Sequence, residues 1–421
     1  MRLISRSVEP SPRDPRFMRV GAKIEVETTG ALLDYWFDLP ADLEDELADD
    51  ENGWAVLMLP LACYFKEPLH LEGPVDRLLL DNLKGVQQIW CAWYKELAEV
   101  PIHAAKVRDA DRIAIVAETE KRTISCFSGG IDSFFTLIRH DTEALGDGTT
   151  TIDDLLSVAG FNSQMDDFDQ MWADLGPAAE RFGRRLIPVL TNVRYGAQPT
   201  ATCYSVEKYM VGYAHMAILA GIVHLLGKRY REFLIPASHH YANLMPYGSH
   251  PLTDHLLSSA RLSVVHDGAS FTRIERTEVI AQSDEALKVL HVCFQDFGEG
   301  NCSQCQKCVR TMAALDILGA KARALSFDWT NYGPETIAKI WLSNPSDRIH
   351  YVDIALAAER LGRPEIVAAA YAAVAASKRK YEILQTINAI PVVRPLWNAS
   401  RGARRRLGAW LKGARKTAAH A

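Results

Sequence analysis

Between residues 21 and 28 apolar and charged positions alternate. Ile24 and Val26 fall on one face and Lys23, Glu25 and Glu27 on the other, the two-residue period of a half-buried strand. Residues 54–65 are apolar almost without interruption and are expected to form a second, more deeply buried strand. From Asp76 to about Leu97 the period changes to three and four. Leu79, Leu83, Val86, Trp90 and Trp93 then share one stripe, which predicts a helix. These elements outline a mixed α+β module over residues 1–118 that carries no chemical motif. It is expected to shape a substrate pocket or a dimer interface, and the pattern does not choose.

From residue 119 short apolar runs alternate with helical stripes. Strands are expected at 122–127, 155–159, 185–190 and 233–237, and helices at 133–140, 166–182 and 206–226. Such alternation predicts βαβ units: an α/β fold whose parallel sheet carries helices on both faces, spanning 119–318. A helical module is expected over 319–392, where Pro364 and Glu365 open an Ala-rich helix and Gly362 separates it from a partner at 346–361. Residues 393–421 form a basic tail. No acidic residue follows Glu382, whereas Arg394, Arg401, Arg404, Arg405, Arg406, Lys412, Arg415 and Lys416 do. The tail reads first as a solvated terminus. Contact with nucleic acid or an acidic partner is the sharper and less favoured reading, and membrane-surface contact through Leu407, Trp410 and Leu411 is the third.

Composition narrows the class. The chain has 421 residues, 48% of them apolar and 24% charged, with a net charge of −5. That is ordinary for a folded protein of two or three domains and excludes fibrous, mostly disordered and small disulfide-stapled classes. Residues 1–17 lack the apolar stretch of a secretory signal. The longest apolar run, 214–227, is too short to span a membrane and contains His215 and His224. A cytoplasmic location is therefore expected. Of eight cysteines, four fall between positions 293 and 308, a cluster that suggests metal rather than disulfides.

The segment Ser125-Cys126-Phe127-Ser128-Gly129-Gly130-Ile131-Asp132-Ser133 joins an apolar strand to an apolar helix. Two glycines allow a tight turn and close approach of a ligand. The helix that follows aims free N–H groups and its positive dipole end at that ligand, which should be an anion such as phosphate. Ser128 and Ser133 add hydroxyl donors. Asp132 would repel phosphate unless a divalent cation stood between them, which implies Mg²⁺. No Lys follows the second glycine, so this is not the GxxxxGK[ST] loop. The segment resembles the SGGxDS signature of the PP-loop ATP pyrophosphatases, with their adenine nucleotide alpha hydrolase-like fold. The resemblance implies that Ser128, Gly129, Gly130, Ile131, Asp132 and Ser133 hold the leaving pyrophosphate of ATP, with Ser128, Asp132 and Ser133 as the catalytic set. It also implies that Phe161 and Asn162, after the second strand, meet the adenine. Arg194 and Lys208 are further candidates for phosphate contact.

Cys293, Cys302, Cys305 and Cys308 follow the spacing C-x8-C-x2-C-x2-C. Four thiolates suit tetrahedral Zn²⁺ in a closed, structural site, and Lys307 and Arg310 would partly offset their charge. An iron–sulfur cluster is the competing metal. This spacing behind an SGGxDS loop narrows the resemblance to the 7-cyano-7-deazaguanine synthase (QueC-like) family, in which an Arg closely follows the zinc cysteines, as Arg310 does here. The resemblance covers about 120–318.

Two departures matter. The family's Tyr-Pro-Asp-Cys-Arg stretch is replaced by Tyr247-Gly248-Ser249-His250-Pro251-Leu252-Thr253-Asp254-His255, and the flanking modules are extra. The ATP and zinc sites are expected to carry over and the substrate is not. QueC-like proteins of antiphage defence operons are the expected setting. His239, His240, His250 and His255, with Asp254, are expected to line a substrate pocket rather than to bind metal. The implied activity is adenylation of a carboxylate or related acyl oxygen on a small molecule or protein, followed by amide or nitrile formation. A homodimer or operon-encoded partners would fit the extra modules. The rival readings are a tRNA-sulfurating PP-loop enzyme and a nucleotide-binding subunit with little chemistry of its own.

Overall fold

A computed structural model of the chain describes residues 1–109, 122–160, 168–193, 210–293 and 300–389. It divides into two compact units, 1–332 and 333–421. The candidate contacts Phe161, Asn162, Arg194 and Lys208 and the basic tail lie outside the described residues. Among those described, no helix is long and apolar enough to cross a membrane.

The strands of the first unit are β1 (Arg2–Pro10), β2 (Phe17–Val26), β3 (Ala31–Pro40), β4 (Leu69–Asp76), β5 (Ile102–Arg108), β6 (Arg122–Cys126), β7 (Asp154–Ala159), β8 (Arg185–Thr191), β9 (Tyr230–Pro236) and β10 (Ser263–Asp267). They form one sheet in the order β10-β9-β6-β7-β8-β3-β2-β1-β4-β5. From β10 to β8 every neighbouring pair is parallel. Counted along the chain, this half runs third-second-first-fourth-fifth from β8 to β10, so the winding reverses between β6 and β9. In a doubly wound sheet ligands bind at that point, outside the carboxyl ends of the strands.

The N-terminal strands extend the same sheet. β3 joins β8 antiparallel, with Phe37 opposite Thr191 and Asp38 opposite Leu190. Asn192 bridges the junction: its Oδ1 accepts from Trp36 N–H at 3.1 Å and its Nδ2 donates to Asp34 O at 2.7 Å. The expected boundary near residue 118 is therefore not a break between compact units.

Helices cover both faces. On one lie α1 (Asn52–Phe65), α2 (Arg77–Trp93) and α5 (His215–Leu225), packed on Leu156, Ile187, Phe233 and Ile235. On the other lie α3 (Ile131–Asp141), α4 (Phe168–Arg181), α6 (Arg273–Ile280), α7 (Asp284–Val289) and α8 (Gln306–Ile317), packed on Leu155, Ala159 and Leu234. Adjacent strand residues such as Leu155 and Leu156 point to opposite cores, which explains why these strands read as continuous apolar runs.

Residues 54–65 are a helix, not the expected strand. Every residue of α1 from Asn52 to Cys63 is buried, so no polar face interrupts the run and no period betrays it; an all-round apolar helix belongs in a core. It crosses α5 at a glycine pair. A Cβ on Gly221 would stand 2.4 Å from Leu57 Cγ and 3.2 Å from Gly53 O. The expected helix 206–226 is described from a π-helical turn, Met210–Ala214, that leads into α5.

The second unit begins at Gly333, later than position 319. Its described part holds α9 (Pro334–Lys339), α10 (Pro345–Arg360) and α11 (Pro364–Ala389), each opening on a proline. Helices α10 and α11 lie on either side of the expected Gly362 turn. The burial of Tyr351, Ile354, Ile366 and Ala370 gives this unit its own small core.

Two outcomes follow from the α1–α5 face. Gly221→Val should lower stability by roughly 1–3 kcal/mol through overpacking against Leu57, read as a lower denaturant midpoint with unchanged slope. His224, buried in α5 and bonded from Nε2 to Leu257 O at 2.8 Å, has its pKa lowered from 6.5 to about 4, chiefly by burial. The unfolded chain takes up this proton near pH 6.5 and the folded chain only near 4, so the neutral histidine's contribution is complete above 6.5 and lost as pH falls through that window. Its size is up to about 3 kcal/mol. Denaturant titrations at pH 7 and 5 should show His224→Gln losing less stability than the wild type.

Candidate functional site

The glycine loop leaves β6 at the winding reversal. Gly129 adopts φ +70°, and a Cβ there would stand 2.6 Å from Leu175 Cδ2, so both backbone and space require glycine. Ser133 closes the turn: its hydroxyl donates to Gly130 O at 3.1 Å and accepts from Ser128 N–H at 3.3 Å. The Ser133 side chain is therefore used inside the loop, whereas Ser128 is exposed at its crest. Gly130 is the N-cap of α3 and has no side chain to cap it, which leaves the first-turn N–H groups facing outward. Ile131 is buried beneath.

Asp132, in the first turn of α3, is held by two arginines. Arg273 Nη1 lies 2.9 Å from Oδ2, and Arg276 Nη1 lies 2.7 Å from Oδ1. Although burial opposes ionisation, the two guanidiniums hold the Asp132 pKa down at about 2. The arginines come from the first turn of α6, whose start is fixed by a capping box between Thr272 and Glu275. Arg276 is almost wholly buried and also donates to Ala237 O and Gly268 O, the chain just beyond β9 and β10. Lys307 and Arg310, from α8, belong to the same cluster. Burial pulls the Lys307 pKa down to about 8, with Arg310 and Arg273 adding to the effect and Asp132 and Cys305 opposing it. Four cationic side chains and one carboxylate thus gather beside the loop.

The cysteines lie next to this cluster. Their four Sγ atoms all fall within 4.8 Å of one another, with Cys293–Cys305, Cys302–Cys308 and Cys305–Cys308 at 3.9, 3.9 and 3.5 Å. A tetrahedron with Zn–S bonds of about 2.3 Å has edges of about 3.8 Å, so the group is able to hold a metal such as zinc. Among the described residues it is the group of His, Cys, Asp or Glu side chains that meets a metal-binding geometry. The Cys305–Cys308 contact draws the Cys305 thiol well below its ordinary value. The cluster is tied directly to the loop. His291 N–H, two residues before Cys293, donates to Gly129 O at 2.8 Å. Asn301, beside Cys302, accepts from Val292 N–H at 2.9 Å and donates to Leu290 O at 2.6 Å.

The histidines separate into two groups. His240 caps the turn 241–243 and His255 bonds to Pro251 O, local roles both. His239 lies near Asp132 and Arg276, and His250 accepts from Leu252 N–H through Nδ1 at 3.1 Å. Burial pushes His239 below the usual imidazole value, Asp132 opposes this, and Arg276, His250 and His266 reinforce it. Burial does the same to His250, which lies edge-on to Trp93 of α2 at 4.8 Å. Asp254 is fully buried and binds Ser249 Oγ at 2.8 Å, His250 N–H at 3.0 Å and His266 Nδ1 at 2.7 Å.

Sequence reasoning missed Arg273, Arg276 and His266. The Thr272-x-x-Glu275 signature would have started a helix at Arg273 and placed the two arginines on one side of its first turn. His266 closes a short apolar run, the position where a strand delivers polar groups to a sheet edge. Compared with known family models, curated proteins and solved structures, the chain matches none.

Replacing Cys305 with Ser should remove a metal ligand and the staple it provides. Metal analysis of the wild type should give about one zinc per chain. The variant should lose it together with stability on the order of 4 kcal/mol or more. Iron with sulfide, or an unchanged melting temperature in the metal-free variant, would contradict this assignment.

Proposed function

We propose that the protein is an ATP-dependent enzyme of the PP-loop, QueC-like type. It adenylates a carboxylate or related acyl oxygen and passes the acyl group to a nitrogen nucleophile, with release of AMP and pyrophosphate. The observation that carries this reading is the convergence of Arg273, Arg276, Lys307 and Arg310 on an uncapped helix N-terminus behind a left-handed glycine, at the winding reversal of a parallel sheet. That much positive charge around free N–H groups suits a polyphosphate rather than a single carboxylate.

In this reading the α3 N–H groups and the arginines stabilise the charge that grows on pyrophosphate as it leaves the α-phosphorus. The acyl oxygen attacks that phosphorus from the opposite side. Mg²⁺, held by Asp132, would supply Lewis-acid neutralisation of the phosphates. Zinc at the four cysteines is structural, because a complete thiolate set leaves no open position for chemistry. Its task is to hold Lys307, Arg310 and the 290–293 segment against the loop. The pocket beyond, with His239, Tyr247 and His250, receives the acyl substrate, whether a small molecule or a protein. An antiphage defence setting is retained as part of the proposal.

The test supplies ATP labelled at the α-phosphate, Mg²⁺ and a cell extract containing the acceptor. Label should appear in AMP with an equal amount of pyrophosphate, and Asp132→Ala should reduce both at least 100-fold while the protein, less stable for the loss of its two arginine pairs, still unfolds in a cooperative thermal transition. Accumulation of ADP and orthophosphate would instead mean γ-phosphoryl transfer and a wrong reaction class.

A further inference from the structure

His266 stands at the C-terminal edge of the parallel sheet, on the fifth strand of the winding. Ser125, Leu234 and Val265 lie at one level across β6, β9 and β10. His266 is one residue further on, where the chain of β6 turns into the glycine loop. Adjacent strands are about 4.8 Å apart, so the histidine lies roughly 10 Å across the edge from the loop. Its side chain is 5% exposed. Nδ1 is bonded to the buried Asp254 carboxylate at 2.7 Å, and Nε2 is buried with no hydrogen-bond partner. In the neutral imidazole whose Nδ1–H points at that carboxylate, Nε2 presents a lone pair. A buried nitrogen left without a partner is costly to keep, which directs attention to what would fill that place.

The surroundings bear on the answer. Asp254 is itself fixed by Ser249 and by the His250 backbone, so it is an orienting group rather than a mobile one. His250 and His239 interact electrostatically with His266, and His239 interacts also with Asp132 of the loop helix. Burial favours the neutral form of both neighbouring imidazoles. Burial raises the thiol pKa of Cys126, at the end of β6, and the Asp254 charge adds to the effect, which disfavours its thiolate. The dyad therefore stands beside His239 and His250, and through His239 it is linked electrostatically to Asp132 of the loop helix.

Building on the adenylation reading, we propose that His266, oriented by Asp254, is the general base of the second half-reaction. A primary amine or ammonia attacks the acyl carbon of the adenylate. The C–N bond forms and the bond from that carbon to the AMP oxygen breaks. AMP leaves with the electron pair, and the nitrogen gives its surplus proton to His266 Nε2, which releases it to water. Asp254 holds the tautomer and stabilises the imidazolium that forms, the division of labour of a carboxylate–histidine pair. This assigns the nucleophile to neutral nitrogen compounds and makes His266 a catalytic residue, Asp254 a positioning residue.

The experiment separates the half-reactions. Wild type, His266→Gln and Asp254→Asn are given Mg²⁺, the acceptor-containing extract and either α-labelled ATP or unlabelled ATP with labelled pyrophosphate, with and without hydroxylamine, a nitrogen nucleophile that attacks acyl adenylates without a base. His266→Gln should exchange labelled pyrophosphate into ATP at the wild-type rate but release AMP at least 100-fold more slowly. Hydroxylamine should restore AMP release. Asp254→Asn should share the slow step and the rescue. Its ¹⁵N spectrum should show that the His266 proton has moved off Nδ1. Undiminished AMP release by His266→Gln, or equal loss of exchange and release without rescue, would overturn the assignment. Absence of labelled AMP from the wild type would overturn the adenylation reading itself, and the dyad's role with it.

Discussion

The hydrogen bond from His291 N–H to Gly129 O is the constraint on which the site depends. It requires Gly129 to hold a left-handed backbone, which a side chain would oppose both sterically and by collision with Leu175. It also joins two parts of the chain more than 150 residues apart, the loop of the first βα unit and the segment that enters the cysteine cluster. Once that bond is made, the position of Cys293 is fixed relative to the loop. The remaining cysteines then bring α8 in with Lys307 and Arg310 on the correct side. A metal at the cysteines therefore acts on the loop through two short covalent steps and one hydrogen bond.

The charge arrangement follows from this geometry. Four cations close together would repel one another in a partly buried site, and Asp132 at their centre offsets that repulsion. The same carboxylate would repel a phosphate. In the proposed adenylation, the ion pairs Asp132–Arg273 and Asp132–Arg276 would be the resting state of groups whose working partners are an anion and a divalent cation. The β9 and β10 ends take part as well, because Arg276 is bonded to both, so the anion end and the histidine end of the edge share one rigid support.

Much of this was legible in the sequence, and the failures have physical causes. The βα alternation of residues 122–237 appeared because its strands are short apolar runs set between amphipathic helices, and the structure has strands and helices at those places. The strand expected at 54–65 is a helix because complete burial removes the polar face by which period is recognised. The continuity of the sheet from the N-terminal strands into β8 went unseen for a different reason. Sheet continuity is made by the β3–β8 pairing, a contact between residues about 150 apart that leaves no local signature. Within the site, glycines and cysteines announced themselves by spacing. Arg273, Arg276 and His266 did not, because each acts across a distance set only by the tertiary fold.

The central claim is that the glycine loop is a pyrophosphate cradle whose shape depends on the metal centre. Calorimetric titration of inorganic pyrophosphate with Mg²⁺ into the purified protein, before and after removal of its metal by a chelator, tests this most directly. Binding should be measurable with the metal present and at least tenfold weaker without it, while far-ultraviolet circular dichroism shows the sheet and helices retained. No binding by the intact protein, or equal binding by both forms, would contradict the account.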